Sequence, residues 1–203
     1  MAATAYPVAT VIRMPLRGRT ARLATVPPIA LPVGIGDAQR LADIEKAFAA
    51  ENVVIAEIGI WRNLVTRDAA VRKAHREIAV EKLAVADAVG ARCAVSYIGS
   101  YAPGSDYGPS PENFTDEAFD DAVEAARYLI DTVKPRRAKF ALEMEQYSLP
   151  DSVDLYVELI RAVDRPAFAA HVDPVNLVLT PAHLLRHRRA LARNLREARP
   201  RGS

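Results

Sequence analysis

The sequence has 203 residues, half of them hydrophobic, and a net charge of +2 at pH 7. This length and composition predict one domain with a sizeable core and argue against a disordered chain. No run approaches the roughly 18 continuous apolar residues of a membrane helix, and the N-terminus lacks the basic-then-apolar order of a secretory signal. The single cysteine, Cys93, excludes a disulfide framework. We therefore expect a soluble, cytoplasmic protein with no membrane partner.

The charge is unevenly distributed. Residues 1–36 carry four arginines and no acid, and residues 181–203 carry seven arginines against one glutamate, which leaves −8 for residues 37–180. Basic ends can indicate nucleic-acid contact. These arginines are not interleaved with aromatic residues and no nucleic-acid module is visible, so nucleic acid is not an expected partner. The same boundaries suggest an irregular N-terminal segment (1–36), an α/β domain (37–180) and a basic C-terminal helix and tail (181–203).

The first 31 residues are interrupted by proline, which predicts at most one weak strand, at 21–26. From Asp37, which can cap a helix, the pattern becomes regular. A proline- and glycine-rich loop at 101–113 has the length of a site wall or lid. The elements predicted between Asp37 and this loop are a first helix, a strand at 53–61, a helix at about 67–89 and a strand at 91–100.

The cycle then repeats. Thr115 opens a helix that Pro135 ends. Four strands alternating with helices predict an α/β protein with a parallel sheet, either doubly wound or a (β/α) barrel. Both architectures place the site at the C-terminal ends of the strands. The remaining predicted elements are a strand at 139–145, a helix capped by Asp151, a strand at 168–173 and a basic helix at about 181–198.

Polar residues lie late in every predicted strand, in pairs spaced by two or four, so that both members share one face. Carboxylates on neighbouring strand ends, joined by a histidine, can hold a hard divalent cation, and Glu143 and Asp173 are the ligands we expect first. The pairs are Glu57 and Trp61, Ser96 and Ser100, Glu143 and Glu145, and His171 and Asp173.

A cation at this position can polarise the oxygens of a sugar while a carboxylate moves a proton at the adjacent carbon, which is isomerisation or epimerisation. The spacing alone also permits a simpler interpretation. Glu143 and Glu145 could form ordinary ion pairs with Lys139, Arg136 or Arg137, and His171 could be a core histidine.

Five segments between Ile55 and Thr180 carry a family resemblance: 56–63, 90–95, 98–100, 135–143 and 171–176. They are similar to segments of the sugar phosphate isomerase/epimerase family, the xylose isomerase-like TIM barrels, whose fold endonuclease IV shares. The most specific feature is the combination of Leu-Glu at 142–143 with His-x-Asp-Pro-x-Asn at 171–176.

The resemblance implies that Glu143 is a metal ligand that doubles as the proton-transfer base, and that Asp173 is the next ligand around the barrel. The metal would be Mn, Mg, Co or Zn, and the substrate a small-molecule sugar. An aromatic side chain at the mouth of a strand can stack on a sugar, although plain packing is the alternative for Trp61. The implied substrate contacts are Trp61, Asn63, His171 and Asn176.

The chain departs from the family's eight-stranded barrel. The four clear strands resemble the third to sixth, the first and last strands are missing or degenerate, and no counterpart of the family's last His and Glu ligands follows His187. The resemblance therefore implies a partial barrel with an incomplete ligand set. Open sheet edges favour aggregation or a homo-oligomer that covers them.

Two functions of different class stay open. The first is a metal-dependent sugar (phosphate) isomerase or epimerase, and the second is a catalytically incomplete family fragment that acts as a partner-binding or non-functional module. DNA repair at abasic sites uses the same fold, but endonuclease IV-type sites use more histidines than the four of this chain offer.

Overall fold

The structure is a computed structural model, and it describes residues 10–16, 19–26, 34–173 and 176. Its strands are β1 (Thr10–Leu16), β2 (Arg19–Val26), β3 (Val53–Gly59), β4 (Cys93–Ser96), β5 (Lys139–Glu143) and β6 (Phe168–His171). Its α-helices are α1 (Ala38–Ala50), α2 (Ala69–Ala88), α3 (Asp116–Val133) and α4 (Val153–Val163), and a short 3-10 helix covers Pro111–Phe114. From β2 onward strands and helices alternate, as the sequence predicted.

The six strands form one sheet in the order in which they occur along the chain. β1 runs antiparallel to β2, whereas every later strand is parallel to the one before it. Parallel neighbours need a crossover connection, and α1 to α4 occupy the four crossovers. A doubly wound sheet reverses its strand order at a switch point, and the six strands that the structure describes show no such reversal. The fold is therefore a partial (β/α) barrel.

The N-terminal segment contributes two strands to this sheet, so the prediction of at most one was wrong. β2 extends the predicted strand at 21–26 by two residues, and β1 pairs with it although it contains Pro15. Proline lacks the N–H that a ladder requires and is therefore tolerated in edge strands. β1 is an edge strand, which explains how its proline is accommodated.

The helix caps agree with the sequence at two positions and differ at a third. Asp37 accepts a hydrogen bond from Arg40 N at the start of α1, and Thr115 accepts one from Ala118 N at the start of α3. The predicted cap Asp151 is wrong by one residue. Ser152 caps α4, because its hydroxyl accepts from Leu155 N.

The parallel strands are shorter than predicted at their C-terminal ends. β3 ends at Gly59, β5 at Glu143 and β6 at His171. The second member of each predicted polar pair therefore follows its strand in a loop. Side chains alternate between the two faces only within a strand. The predicted facing therefore applies to Glu57, Glu143 and His171, and not to the pair members that lie in loops.

One hydrophobic core lies between the sheet and the helices. Leu142 of β5 is fully buried in it, so Glu143 is directed to the opposite face, because successive side chains of a strand alternate. Each large apolar side chain buried here stabilises the fold by about 1.5–3 kcal/mol. Core side chains from the strands include Ile55, Ile58, Ala94, Phe140 and Phe168, and those from the helices include Leu41, Leu83, Ala122, Leu129 and Leu159.

The predicted basic helix at about 181–198 lies outside the described residues. Among the helices that the structure does describe, none combines the length and apolar character needed to cross a membrane.

Candidate active site

Glu143 and His171 end neighbouring strands and are direct partners in the ladder between β5 and β6. Residues paired in this way point to the same side of a sheet. Since Leu142 faces the helices, both side chains lie on the face that the helices leave free, which is the interior of a barrel.

Glu57 joins them from across the sheet. The distance between Glu57 Oε2 and His171 Nε2 is 3.0 Å, although two strands separate β3 from β6. Neighbouring strands lie about 4.8 Å apart, so three steps across a flat sheet would separate the two backbones by about 14 Å. A contact across that span requires a curled sheet. The ion pair therefore shows the curvature of a barrel wall directly.

The surroundings of His171 favour its protonated form. The hydrogen bond to Glu57 raises the pKa of His171 above its usual value, burial opposes this, and the charges of Glu57, Glu143 and Asp173 add to the increase. The other ring nitrogen, Nδ1, is buried and has no hydrogen-bond partner among the described residues. One ring nitrogen is thus fixed by the protein and the other is left for another group.

Glu143 is half-buried and surrounded by acidic groups. Burial raises the pKa of Glu143, His171 opposes this, and the charges of Glu145, Asp173 and Glu57 raise it further. Asn176 Nδ2 lies 3.5 Å from Glu143 Oε1 and donates to the carbonyl of Met144 at 3.0 Å.

The structure thus brings four of the predicted site residues together on one side of the sheet: Glu143, His171, Asp173 and Asn176. Glu145 also belongs to this group, since burial and the charge of Asp173 raise the pKa of its carboxyl.

Two of the three cations that could have paired with these carboxylates are engaged elsewhere. Arg137 forms a salt bridge with Glu45, and Lys139 Nζ donates to the carbonyl of Pro166 at 2.6 Å. The simpler interpretation of Glu143 and Glu145 as partners of Arg137 and Lys139 is therefore not what the structure shows.

A buried tyrosine of α4 holds together the two strands that carry Glu143 and His171. The Tyr156 hydroxyl lies 2.6 Å from Leu142 O and 3.1 Å from Ala169 O. The amides of Leu142 and His171 donate to the same hydroxyl, at 3.1 Å and 3.4 Å. Burial raises the pKa of Tyr156, so it stays neutral at physiological pH.

Trp61 follows β3 and contributes an aromatic face at the same end of the sheet. Its backbone is in the left-handed region, with φ of 50°. Its ring lies 6.1 Å from that of Tyr97, and Tyr97 in turn lies 5.7 Å from Tyr107, which is exposed. Tyr107 belongs to the predicted site-wall loop at 101–113. The aromatic residues therefore extend from the end of β3 to that loop.

Asn63 is engaged within the fold. It is 2% exposed, its Nδ2 donates to Ser100 O at 2.7 Å, and its Oδ1 accepts from Val65 N at 3.1 Å. Gly99 packs so closely against it that a Cβ at position 99 would lie 2.0 Å from Asn63 Oδ1. These contacts favour a structural role for Asn63 over the substrate contact that the resemblance implied.

The carboxylates of Glu143 and Asp173 have the oxygen-donor chemistry that a hard divalent cation requires. Within the part of the chain that the structure describes, however, no group of three or more His, Cys, Asp or Glu side chains is placed to hold a metal ion. His171 Nε2 is occupied by Glu57. The described residues do not fit a complete metal site by themselves.

Sequence reasoning missed the role of Glu57 as the partner of His171. It placed Glu57 late in its strand but left it out of the candidate site. The available signal was the order of the strands, because residues on the interior face of a closing barrel can meet across it. Spacing within one strand does not show which distant strand a side chain will contact.

Comparison with known protein families identifies the family of this chain. A family model described as "Xylose isomerase-like TIM barrel" matches residues 28–197. The chain belongs to the xylose isomerase-like TIM barrel family. Comparison with the curated proteins returns no match.

Solved structures agree on the fold. A xylose isomerase-like TIM barrel protein from Mycobacterium smegmatis, in complex with magnesium, is 22% identical, with 69% of this chain and 47% of that chain covered and a TM-score of 0.51. An L-ribulose 3-epimerase is 16% identical, with 79% and 52% covered and a TM-score of 0.60. A D-psicose 3-epimerase solved in the presence of D-fructose is 18% identical, with 74% and 53% covered and a TM-score of 0.55. The chain spans about half the length of these structures.

Proposed function

We propose that the chain carries part of the active site of a metal-dependent sugar isomerase or epimerase. The observation that carries this proposal is the in-register pair of Glu143 and His171 on the interior face of a partial barrel, with the carboxylate of Asp173 nearby. Solved structures of similar fold are named as sugar epimerases, which supports a sugar or sugar phosphate as the substrate.

Glu143 is the group that moves the proton. Its carboxylate takes a proton from the carbon next to the sugar carbonyl, which leaves an enediolate. Return of a proton to the former carbonyl carbon, with the hydroxyl proton moved to the former carbonyl oxygen, gives the isomer. Return of a proton to the original carbon from the opposite face, by a second acid or by solvent, gives the epimer. A carboxyl whose pKa is raised by burial is better matched to this exchange near neutral pH than an exposed one. The Asn176 amide beside Glu143 Oε1 orients the carboxyl, and the face of Trp61 is a surface for the sugar.

Glu143 and Asp173 would supply two carboxylate ligands for a divalent cation. When bound, such a cation polarises the carbonyl and hydroxyl oxygens of the substrate. Because the described residues do not complete the ligand set, the remaining ligands would come from outside them.

Proton abstraction can be measured without knowing the natural sugar. The purified chain is incubated with D-fructose and manganese in heavy water, and the proton signals of the carbons next to the carbonyl are followed by NMR. We expect exchange with solvent deuterium in the wild type and its loss in Glu143→Gln. Glu158→Gln is the matched control, because Glu158 is exposed on α4 and lies outside the candidate site. Equal exchange in the wild type and in Glu143→Gln would contradict the role of Glu143.

A second function has its own observation in support. The chain spans about half the length of the solved structures it resembles, and the described residues do not complete a metal site. A catalytically incomplete module that binds a partner, or a homo-oligomer that covers the sheet edges, would have these features. Light scattering after size-exclusion chromatography tests it. An assembly without deuterium exchange favours this alternative, and a monomer with exchange excludes it.

A further inference from the structure

The buried nitrogen of His171 is the observation that the proposed function does not use. Nδ1 has no hydrogen-bond partner among the described residues, while Nε2 is fixed by Glu57 at 3.0 Å. A buried polar atom without a partner destabilises the fold, so such atoms are rare and usually have a functional explanation. The ring belongs to the same interior face as Glu143. The unpaired atom is therefore at the candidate site.

The partner of Nδ1 can be deduced from its chemistry. Neutral imidazole held through Nε2–H presents a lone pair at Nδ1, and imidazolium presents an N–H there. A hydroxyl group suits both states, because it can donate to the lone pair or accept from the N–H. A carbonyl oxygen suits only the charged state. Among the groups of a sugar, a hydroxyl is thus the one that satisfies Nδ1 regardless of protonation.

We propose that His171 Nδ1 binds a hydroxyl of the sugar and that Glu57 is a positioning residue that holds the ring for this contact. The inference rests on the proposed function, because it assumes that a sugar enters this site. Glu57 is well placed for the role. Its side chain is 14% exposed, and it anchors the ring from the opposite side of the curled sheet.

Two variants of His171 separate the two ring nitrogens. In His171→Gln the side-chain amide takes the place of Nε2, so the contact to Glu57 is kept and the group at Nδ1 is lost. In His171→Asn the amide takes the place of Nδ1, so the sugar contact is kept and the bond to Glu57 is lost. The two variants should therefore rank in opposite order for folding stability and for sugar binding.

The experiment measures both properties on the full chain. Urea unfolding gives the stability, and saturation-transfer NMR with D-fructose gives sugar binding without requiring turnover. We expect His171→Gln to unfold at the wild-type urea concentration but to bind D-fructose about tenfold more weakly, as the loss of one hydrogen bond implies. We expect His171→Asn to unfold at lower urea, and to bind D-fructose more tightly than His171→Gln but more weakly than the wild type, because Glu57 no longer holds its amide. Glu57→Gln should bind better than Glu57→Leu, because only glutamine can still accept from Nε2–H.

Each contrary outcome has a distinct meaning. Equal binding of D-fructose by His171→Gln and the wild type overturns the Nδ1 contact and leaves the proposed function standing. Equal binding by Glu57→Leu and the wild type overturns the positioning role of Glu57. The absence of D-fructose binding in the wild type overturns this inference whatever the urea data show, and the deuterium-exchange experiment then decides separately whether the proposed function survives.

Discussion

His171 Nε2 and Glu57 Oε2 lie 3.0 Å apart although β4 and β5 lie between their strands. The contact requires the sheet to curl, and it brings one residue from the early part of the chain to the strand end that carries the most specific sequence motif. A side chain of β3 therefore helps to define a site whose other members belong to β5, β6 and the loop that follows β6.

The first prediction concerns the charge of His171. Because Glu57 raises the pKa of His171, histidine NMR on chelator-treated protein should find a value above about 6.5 in the wild type and a lower one in Glu57→Gln. A raised folded-state pKa contributes stability that is fully present below the unfolded value and is lost as pH rises through the folded value. Wild-type stability relative to Glu57→Gln should thus be larger at pH 5.5 than at pH 9. A pH-independent difference would contradict the pairing.

The second prediction concerns the hydroxyl of Tyr156. Replacing Tyr156 with phenylalanine leaves the buried amides and carbonyls of β5 and β6 without this partner, so the free energy of unfolding should fall by about 1–3 kcal/mol. Tyr128→Phe is the control, because Tyr128 is 41% exposed on α3, and it should change stability by less than about 0.5 kcal/mol. Urea unfolding of both variants measures the difference. Similar stability of the two would show that the Tyr156 hydroxyl does not hold the strand pair.

The third prediction concerns the glycine that packs against Asn63. Gly99 has φ of 112°, and a Cβ there would lie 2.0 Å from Asn63 Oδ1. Gly99→Ala combines backbone strain with a steric clash and should destabilise the protein by more than about 1 kcal/mol. Gly36→Ala is the control, because nothing lies within 4 Å of the added atom. Thermal unfolding would reveal the difference, and a fully stable Gly99→Ala would refute the tight packing of Asn63.

The sequence predicted the alternation of strands and helices because apolar periodicity and helix caps are local signals. Asp37 and Thr115 were identified as caps for this reason, and Glu143 and His171 were placed at strand ends. The strand β1 was missed because the tolerance for Pro15 depends on its position at the sheet edge, which is a property of the fold. The pairing of Glu57 with His171 depends on curvature over three strand steps and is equally non-local.

Manganese binding tests the central claim most directly, namely that Glu143 belongs to a metal-dependent site. Isothermal titration calorimetry of the purified chain with manganese should show binding to the wild type and to Glu158→Gln. Glu143→Gln should bind more than about tenfold more weakly, because it loses a charged oxygen ligand. Absence of binding to the wild type, or equal affinity of the wild type and Glu143→Gln, would contradict the account.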